Sequence, residues 1–106
     1  MALTKDFRDT IRDRADRDPA FRRALLEEAV AVMIAGDLES GRCLMRNYIN
    51  ATVGFQRLAE TVHKPKTSLM RMFSPKGNPS AENIFGVIAA LQKQEGVSLT
   101  VHAAAA

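Results

Sequence analysis

The chain has 106 residues, 46% of them apolar and 25% charged, with a formal net charge of +3. That length supports one buried core rather than two, and the composition suits a water-exposed globular surface. No run approaches the roughly 18 apolar residues that a membrane-spanning helix requires, which argues against a membrane protein.

The opening MALTKDFRDT lacks the apolar stretch of a secretion signal, and the single cysteine has no partner for an internal disulfide, so a reducing cytoplasm is the expected compartment. Cys43 lies in the apolar run CLM and is expected to serve as a small buried hydrophobe rather than as a reactive thiol.

Thr4 is an N-cap candidate for a first helix running to about Ala15, with Phe7 and Ile11 forming a thin apolar stripe. Its other face interleaves charges, with Lys5/Asp9, Arg12/Asp16 and Asp13/Arg17 at i, i+4, the pattern of a solvated surface. Asp18-Pro19 is a strong helix start, because the carboxylate can cap free N–H groups and proline tolerates the first position. The second helix should reach Gly36, with Phe21, Ala24, Leu25, Ala29, Val32 and Met33 on a wide apolar face. Gly36-Asp37 reads as a C-cap followed by a new N-cap, opening a third helix from Leu38 to about Asn50 with Leu38, Leu44, Met45, Tyr48 and Ile49 apolar.

A fourth helix is expected over Phe55–Val62 and a fifth over Lys66–Phe73, separated by His63-Lys64-Pro65. That short break matches a helix-turn-helix. A turn-rich loop, residues 74–79, leads to a sixth helix capped by Ser80, carrying Ile84, Val87, Ile88 and Leu91 and ending before Gly96. Residues 97–101, VSLTV, alternate apolar and polar as a half-buried strand does, with a second copy as the natural pairing partner and the terminal alanines as a frayed tail. The expected fold class is therefore all-α with about six short helices and one short C-terminal β-strand: an N-terminal helical extension over residues 1–36 packed on a helix-turn-helix unit over 37–106.

Charge is not spread evenly over this layout. Residues 1–53 hold nine basic and nine acidic side chains, whereas residues 54–79 hold five basic (Arg57, Lys64, Lys66, Arg71, Lys76) against Glu60 alone. A basic helix pair of this spacing points to double-stranded DNA, with the first helix bracing on phosphates and the second entering the major groove. Leu58, Ala59 and Val62 should pack on Leu69, Met72 and Phe73, with Ala59 small enough for a close crossing. Lys66, Thr67, Met70 and Arg71 are left to face bases: lysine or arginine reads guanine, threonine bonds donors or acceptors, and methionine touches a thymine methyl. Gln56, Arg57, Lys64, Ser68, Lys76 and Asn78 suit phosphate oxygens, helped by the helix N-termini near Gly54 and Ser80. The competing structural reading is that any small helical protein contains such helix-break-helix pairs; the charge concentration is what favours DNA.

The segment LAETVHKPKTSLMRMF followed by GNPSAENIFGVIAAL resembles the lambda-repressor-like (Xre-type) helix-turn-helix over about residues 38–95. Within that superfamily the layout is similar to the HigA-like addiction-module antitoxins, in which short helices precede the motif. The resemblance implies a bacterial autorepressor, a homodimer on a palindromic operator, pairing with a toxin of RelE/ParE type in a type II toxin-antitoxin system. Two positions depart from the pattern: Phe55 stands where the family carries glutamine, leaving Gln56 or Arg57 for that phosphate, and His63 stands where it carries glycine, so His63 must accept a positive φ.

Other classes fare worse. The sequence has no glycine-rich phosphate loop, nucleophile elbow or Cys/His metal spacing, and Asp9/Asp13 and Glu27/Glu28 fit solvated helix faces better than acid–base pairs, so neither an enzyme nor a cofactor is expected. RNA binding would need more aromatic surface than Phe55 alone offers. The remaining alternative is a protein-interaction module, using the two extra N-terminal helices to sequester a toxin with little DNA binding of its own.

Overall fold

The computed structural model describes residues 4–106 and contains six helices: α1 Lys5–Arg17, α2 Pro19–Ile34, α3 Leu38–Ala51, α4 Phe55–Val62, α5 Lys66–Met72 and α6 Ala81–Glu95. Four of them start on side-chain caps. The Thr4, Asp18, Asp37 and Ser80 oxygens accept the backbone N–H groups of Phe7, Phe21, Ser40 and Asn83, each at 3.1 Å. Hydrogen bonds from Ser40, first from its side chain and then from its backbone N–H, hold the Asp37 carboxyl below its ordinary value.

The core is assembled from α2 to α6. Leu26 and Ala29 of α2, Met45, Tyr48 and Ile49 of α3, Phe55, Leu58 and Ala59 of α4, Leu69 and Phe73 around α5, and Val87, Ile88 and Leu91 of α6 form one buried cluster. The α2–α3 hairpin is its thickest part. The two helices cross so closely at the buried Gly41 that a β-carbon there would overlap Met33. α1 adds only Ala15 to the interior, with its Arg14 guanidinium 4.5 Å over the Phe21 ring of α2.

Several sequence expectations shift once the helices pack. Phe7 is 53% exposed, and α1 instead buries Ala15 and half-buries Ile11. On α2, Ala24 faces solvent and Leu26 takes a core position beside Ala29, because the face that meets α3 is rotated by roughly a fifth of a turn, at 100° per residue, from the expected apolar stripe. Leu38, at the first position of α3, lies beyond the reach of the core and is 53% exposed. None of the three i, i+4 charge pairs on α1 closes; its ion pair is Arg14–Asp18 at 3.7 Å, with both side chains largely in water. Cys43 is half-buried, its sulfur 3.9 Å from Arg46 Nη2 and 4.0 Å from Asn47 Nδ2.

The strand expected over residues 97–101 is not formed, and no strand occurs among the described residues. The alternation serves the chain's own core instead. Val97 and Leu99 pack against the buried cluster, the Val97 N–H donates to the Gln92 carbonyl at 3.0 Å, and the Leu99 N–H donates to Gln92 Oε1 at 2.8 Å.

A polar junction locks the N-terminal helices to α6. Arg22 of α2 donates through Nε to both carboxylate oxygens of Glu95, 3.2 and 3.0 Å away, and through Nη1 to the Ala15 carbonyl at 2.6 Å. The Tyr48 hydroxyl donates to Glu95 Oε1 at 2.8 Å. Burial, and then the hydrogen bond to the Glu95 carboxylate and its negative charge, raise the Tyr48 phenol above its ordinary 10.0.

The junction predicts a stability signature. The folded state prefers the neutral phenol, so that preference contributes fully below the ordinary value of 10.0 and is lost as pH rises through the higher folded value. Tyr48 is the only tyrosine, so the near-ultraviolet phenolate absorbance of the folded protein reports it alone. Its midpoint should lie above that of the urea-unfolded chain, and coincident midpoints would refute the buried bond. Arg22→Ala should cost about 2–3 kcal/mol in denaturant unfolding by leaving Glu95 without its cation.

Candidate nucleic-acid interface

The helix pair is held from the inside by α4 residues Leu58 and Ala59 and by Leu69 and Phe73, all buried, with Val62 and Met72 packed against them. Phe55 also belongs to this interior. It is 5% exposed, and its ring lies 6.3 Å from that of Phe73 at 48°. The apolar ring here braces α4 against the end of α5.

His63 makes the turn. It adopts φ 56°, ψ 45°, the one described non-glycine residue with positive φ, and the Ala59 carbonyl accepts both its N–H and the N–H of Lys64. Pro65, at φ −61° and ψ 140°, then opens α5, and its carbonyl accepts the Leu69 N–H at 3.2 Å. The left-handed residue reverses the chain and the proline fixes the entry angle of the next helix.

With Leu69 at the centre of the inward face, Lys66, Thr67, Met70 and Arg71 fall on the opposite side of α5, all four exposed. Among the described residues the only ion pairs are Arg14–Asp18 and Arg22–Glu95, so Lys66, Arg71 and Lys76 carry positive charge that no ion pair among those residues offsets. The one acid of the segment, Glu60, accepts a hydrogen bond from Gln56 Nε2 at 3.3 Å.

Beyond α5 the loop folds back over the helix end. The Ser74 Oγ donates to the Arg71 carbonyl at 2.7 Å, the Gly77 N–H donates to the Ser74 carbonyl at 2.9 Å, and a β-carbon at Gly77 would collide with the carbonyls of Arg71 and Met72. This close return leaves Lys76 and Asn78 exposed at the C-terminal end of α5.

Not every expected site residue joins this face. Ser68 is half-buried. Arg57 and the half-buried Lys64 line a groove of about 630 Å³ between α4 and α6, together with Thr61, Asn83 and Lys93, and none of the four outward α5 residues lines it. Of the two helix N-termini, that of α6 already has its Asn83 N–H bonded by Ser80, whereas Gly54 supplies no side-chain cap to α4.

Sequence reasoning missed a second cationic groove. Lys5, Arg8 and Arg12 of α1, with Asp9 between them, meet Asn47 and Asn50 of α3 around about 330 Å³. Their i, i+3, i+7 spacing was the available signal, but only the packing of α1 on α3 supplies the asparagines. Asp9, Asp13, Glu27 and Glu28 are exposed on α1 and α2. Among the described residues no cluster of three or more histidine, cysteine or acidic side chains could hold a metal ion, and no helix is long and apolar enough to cross a membrane.

Compared with protein-family models, with curated proteins and with solved structures, the chain matches none.

Substitutions at two positions test the turn and the loop. His63→Val should destabilise the fold by about 1–2 kcal/mol, because a β-branched residue resists the left-handed region, whereas His63→Gly should be neutral or slightly stabilising. Gly77→Ala should cost about 1–3 kcal/mol by forcing the loop off the α5 carbonyls. Thermal unfolding measures both, and equal effects for the two His63 variants would contradict the turn geometry.

Proposed function

We propose that this protein is a sequence-specific DNA-binding regulator of the lambda-repressor-like helix-turn-helix type. The observation that carries the reading is the exposed row Lys66, Thr67, Met70 and Arg71, presented by a helix whose opposite face is anchored by Leu69 and Phe73 in the core. A rigid, uncompensated cationic helix face joined to its brace by a tight turn is what major-groove reading requires.

In this reading α5 enters the groove, Lys66 and Arg71 bond guanine edges, Thr67 bonds a neighbouring base and Met70 contacts a thymine methyl. Lys76 and Asn78, exposed at the far end of α5, take phosphate, as does Gln56 at the start of α4. Arg57, Lys64 and Ser68 are weaker phosphate candidates, the first two because they border the α4–α6 groove and the last because it is half-buried. Two copies would read a palindromic operator, one half-site each. The resemblance to HigA-like antitoxins extends the proposal to autorepression of a toxin-antitoxin operon in the cytoplasm.

A second reading, a module that sequesters a RelE/ParE-type toxin, draws on exposed apolar side chains of the N-terminal half, Ile34 at 64% and Leu38 at 53%, at the α2–α3 corner. Co-purification with the product of an adjacent small open reading frame, lost on Ile34→Glu plus Leu38→Glu, would favour it; a neighbour that does not bind leaves the regulator alone.

Operator binding measured against salt concentration tests the first reading. Affinity should fall with a log–log slope of roughly −0.9 per neutralised phosphate, and Lys66→Ala plus Arg71→Ala should abolish specific binding. Arg71→Ala alone should relax base preference by about 1–3 kcal/mol at one position of each half-site, while Lys76→Ala weakens all sequences alike. Binding indifferent to salt, or unchanged in the double variant, refutes the proposal.

A further inference from the structure

The groove between α4 and α6 gathers cations from three separate elements. Arg57 of α4, Lys64 of the turn and Lys93 of α6 border its 630 Å³, the size of a small-molecule site, with Glu82 as its one acid. Neither these four side chains nor the adjoining His63 forms an ion pair among the described residues. With His63 neutral, three positive charges against one negative leave the groove two charges positive. It is concave and borders none of the outward α5 residues, so it suits a small molecule rather than the duplex that α5 would read.

Between the charges the lining is carbon. Gly86, Ala89 and Ala90 leave α6 without a long side chain along this stretch, and no atom lies within 4 Å of where a β-carbon would sit on Gly86. Asn83 near the start of α6 and Gln94 near its end add amides that can donate to an acidic group.

The cations are also spread out. Arg57 and Gln94 both border a second cavity, of about 280 Å³, which puts the start of α4 at the C-terminal end of α6, beside Lys93. Of the acids lining that cavity, Glu95 is already bonded by Arg22 and Tyr48, and Asp16 forms no ion pair with Arg57. Lys64 lies further along, about 10 Å from Arg57 at the helical rise. A compact anion would reach both only if the long side chains folded across the apolar floor.

We infer that this groove binds an elongated organic dianion, one acidic group held by Arg57 and Lys93, the other by Lys64, with an apolar stem lying over Gly86, Ala89 and Ala90. Each acidic group gains charge-assisted hydrogen bonds, and the stem covers carbon otherwise left in water. The dianion cancels the excess charge of the groove, and Lys64 belongs to the turn that sets the angle of α5, so occupancy weakens operator binding. That consequence, unlike the site itself, rests on the DNA-binding reading.

Isothermal titration of the full chain without DNA tests the site. Octanedioate should bind saturably, one per chain, with octanoate about tenfold weaker and the corresponding diol not binding. Gly86→Leu puts a side chain into the groove where nothing obstructs it and removes a helical glycine, so it should keep or raise thermal stability while weakening octanedioate by about tenfold or more. Lys93→Glu should weaken it by about tenfold as well. In saturating octanedioate the operator affinity of the wild type should fall by about threefold or more, and that of Gly86→Leu should not respond, which controls for ionic strength. Absence of saturable binding, octanoate binding as tightly as octanedioate, or binding indifferent to both substitutions would each overturn the site. Binding that leaves operator affinity unchanged would overturn its coupling to DNA. A chain that binds octanedioate as expected and no operator would sink the regulatory reading alone.

Discussion

The carboxylate of Glu95 is the point on which the arrangement of the helices turns. Its side chain is 5% exposed, which would be prohibitive for an unpaired charge, yet it takes two hydrogen bonds from Arg22 and one from Tyr48. Those partners come from the first turn of α2 and the last turn of α3, and Arg22 also holds the Ala15 carbonyl near the end of α1. Four helices are thereby referred to one buried group. A buried ion pair of this kind adds little net stability relative to an apolar packing, but any displaced alternative arrangement would leave a charge stranded in the interior. The N-terminal helices are therefore part of the scaffold that orients α4 and α6.

On that scaffold the α4–α5 pair is fixed by packing rather than by polar contacts. Phe55, Leu58, Ala59, Leu69 and Phe73 leave α5 one permissible rotation, and that rotation exposes Lys66, Thr67, Met70 and Arg71. His63 and Pro65 set the angle between the helices, and the return of the loop at Gly77 closes the far end. The electrostatic character follows from the same geometry, since Gln56 engages the segment's only carboxylate and none of the segment's lysines and arginines forms an ion pair among the described residues.

The helices themselves were legible in the sequence because their ends carry strong local chemistry: Thr4, Asp18, Asp37 and Ser80 each bond the backbone they were expected to cap. The inward side of the α4–α5 pair was legible for a related reason, since its apolar residues recur at helical spacing with little ambiguity. Legibility failed where a residue's environment depends on a distant element. Ala24 and Leu26 both fit an apolar stripe on α2, and only the approach of α3 at Gly41 decides between them. The alternation in residues 97–101 carries the period of a strand, yet the side chain of Gln92 bonds the Leu99 N–H and draws that alternation onto α6. Arg57 and Lys64 belong by sequence to the basic segment, but they border the groove against α6.

What the sequence determined by itself is therefore local and periodic: six helices, their caps, the reversal at His63-Lys64-Pro65, and the concentration of positive charge between Gly54 and Pro79. These follow from hydrogen bonds and side-chain periods spanning a few residues, so a short window contains their causes. The tertiary structure alone decided which of two apolar faces is buried, which cations share a surface with α5, and that Arg22 and Tyr48 converge on Glu95. Those outcomes depend on contacts between residues as far as 73 positions apart. Burial and charge pairing belong to neighbours in space, and only the packed helices determine who those neighbours are.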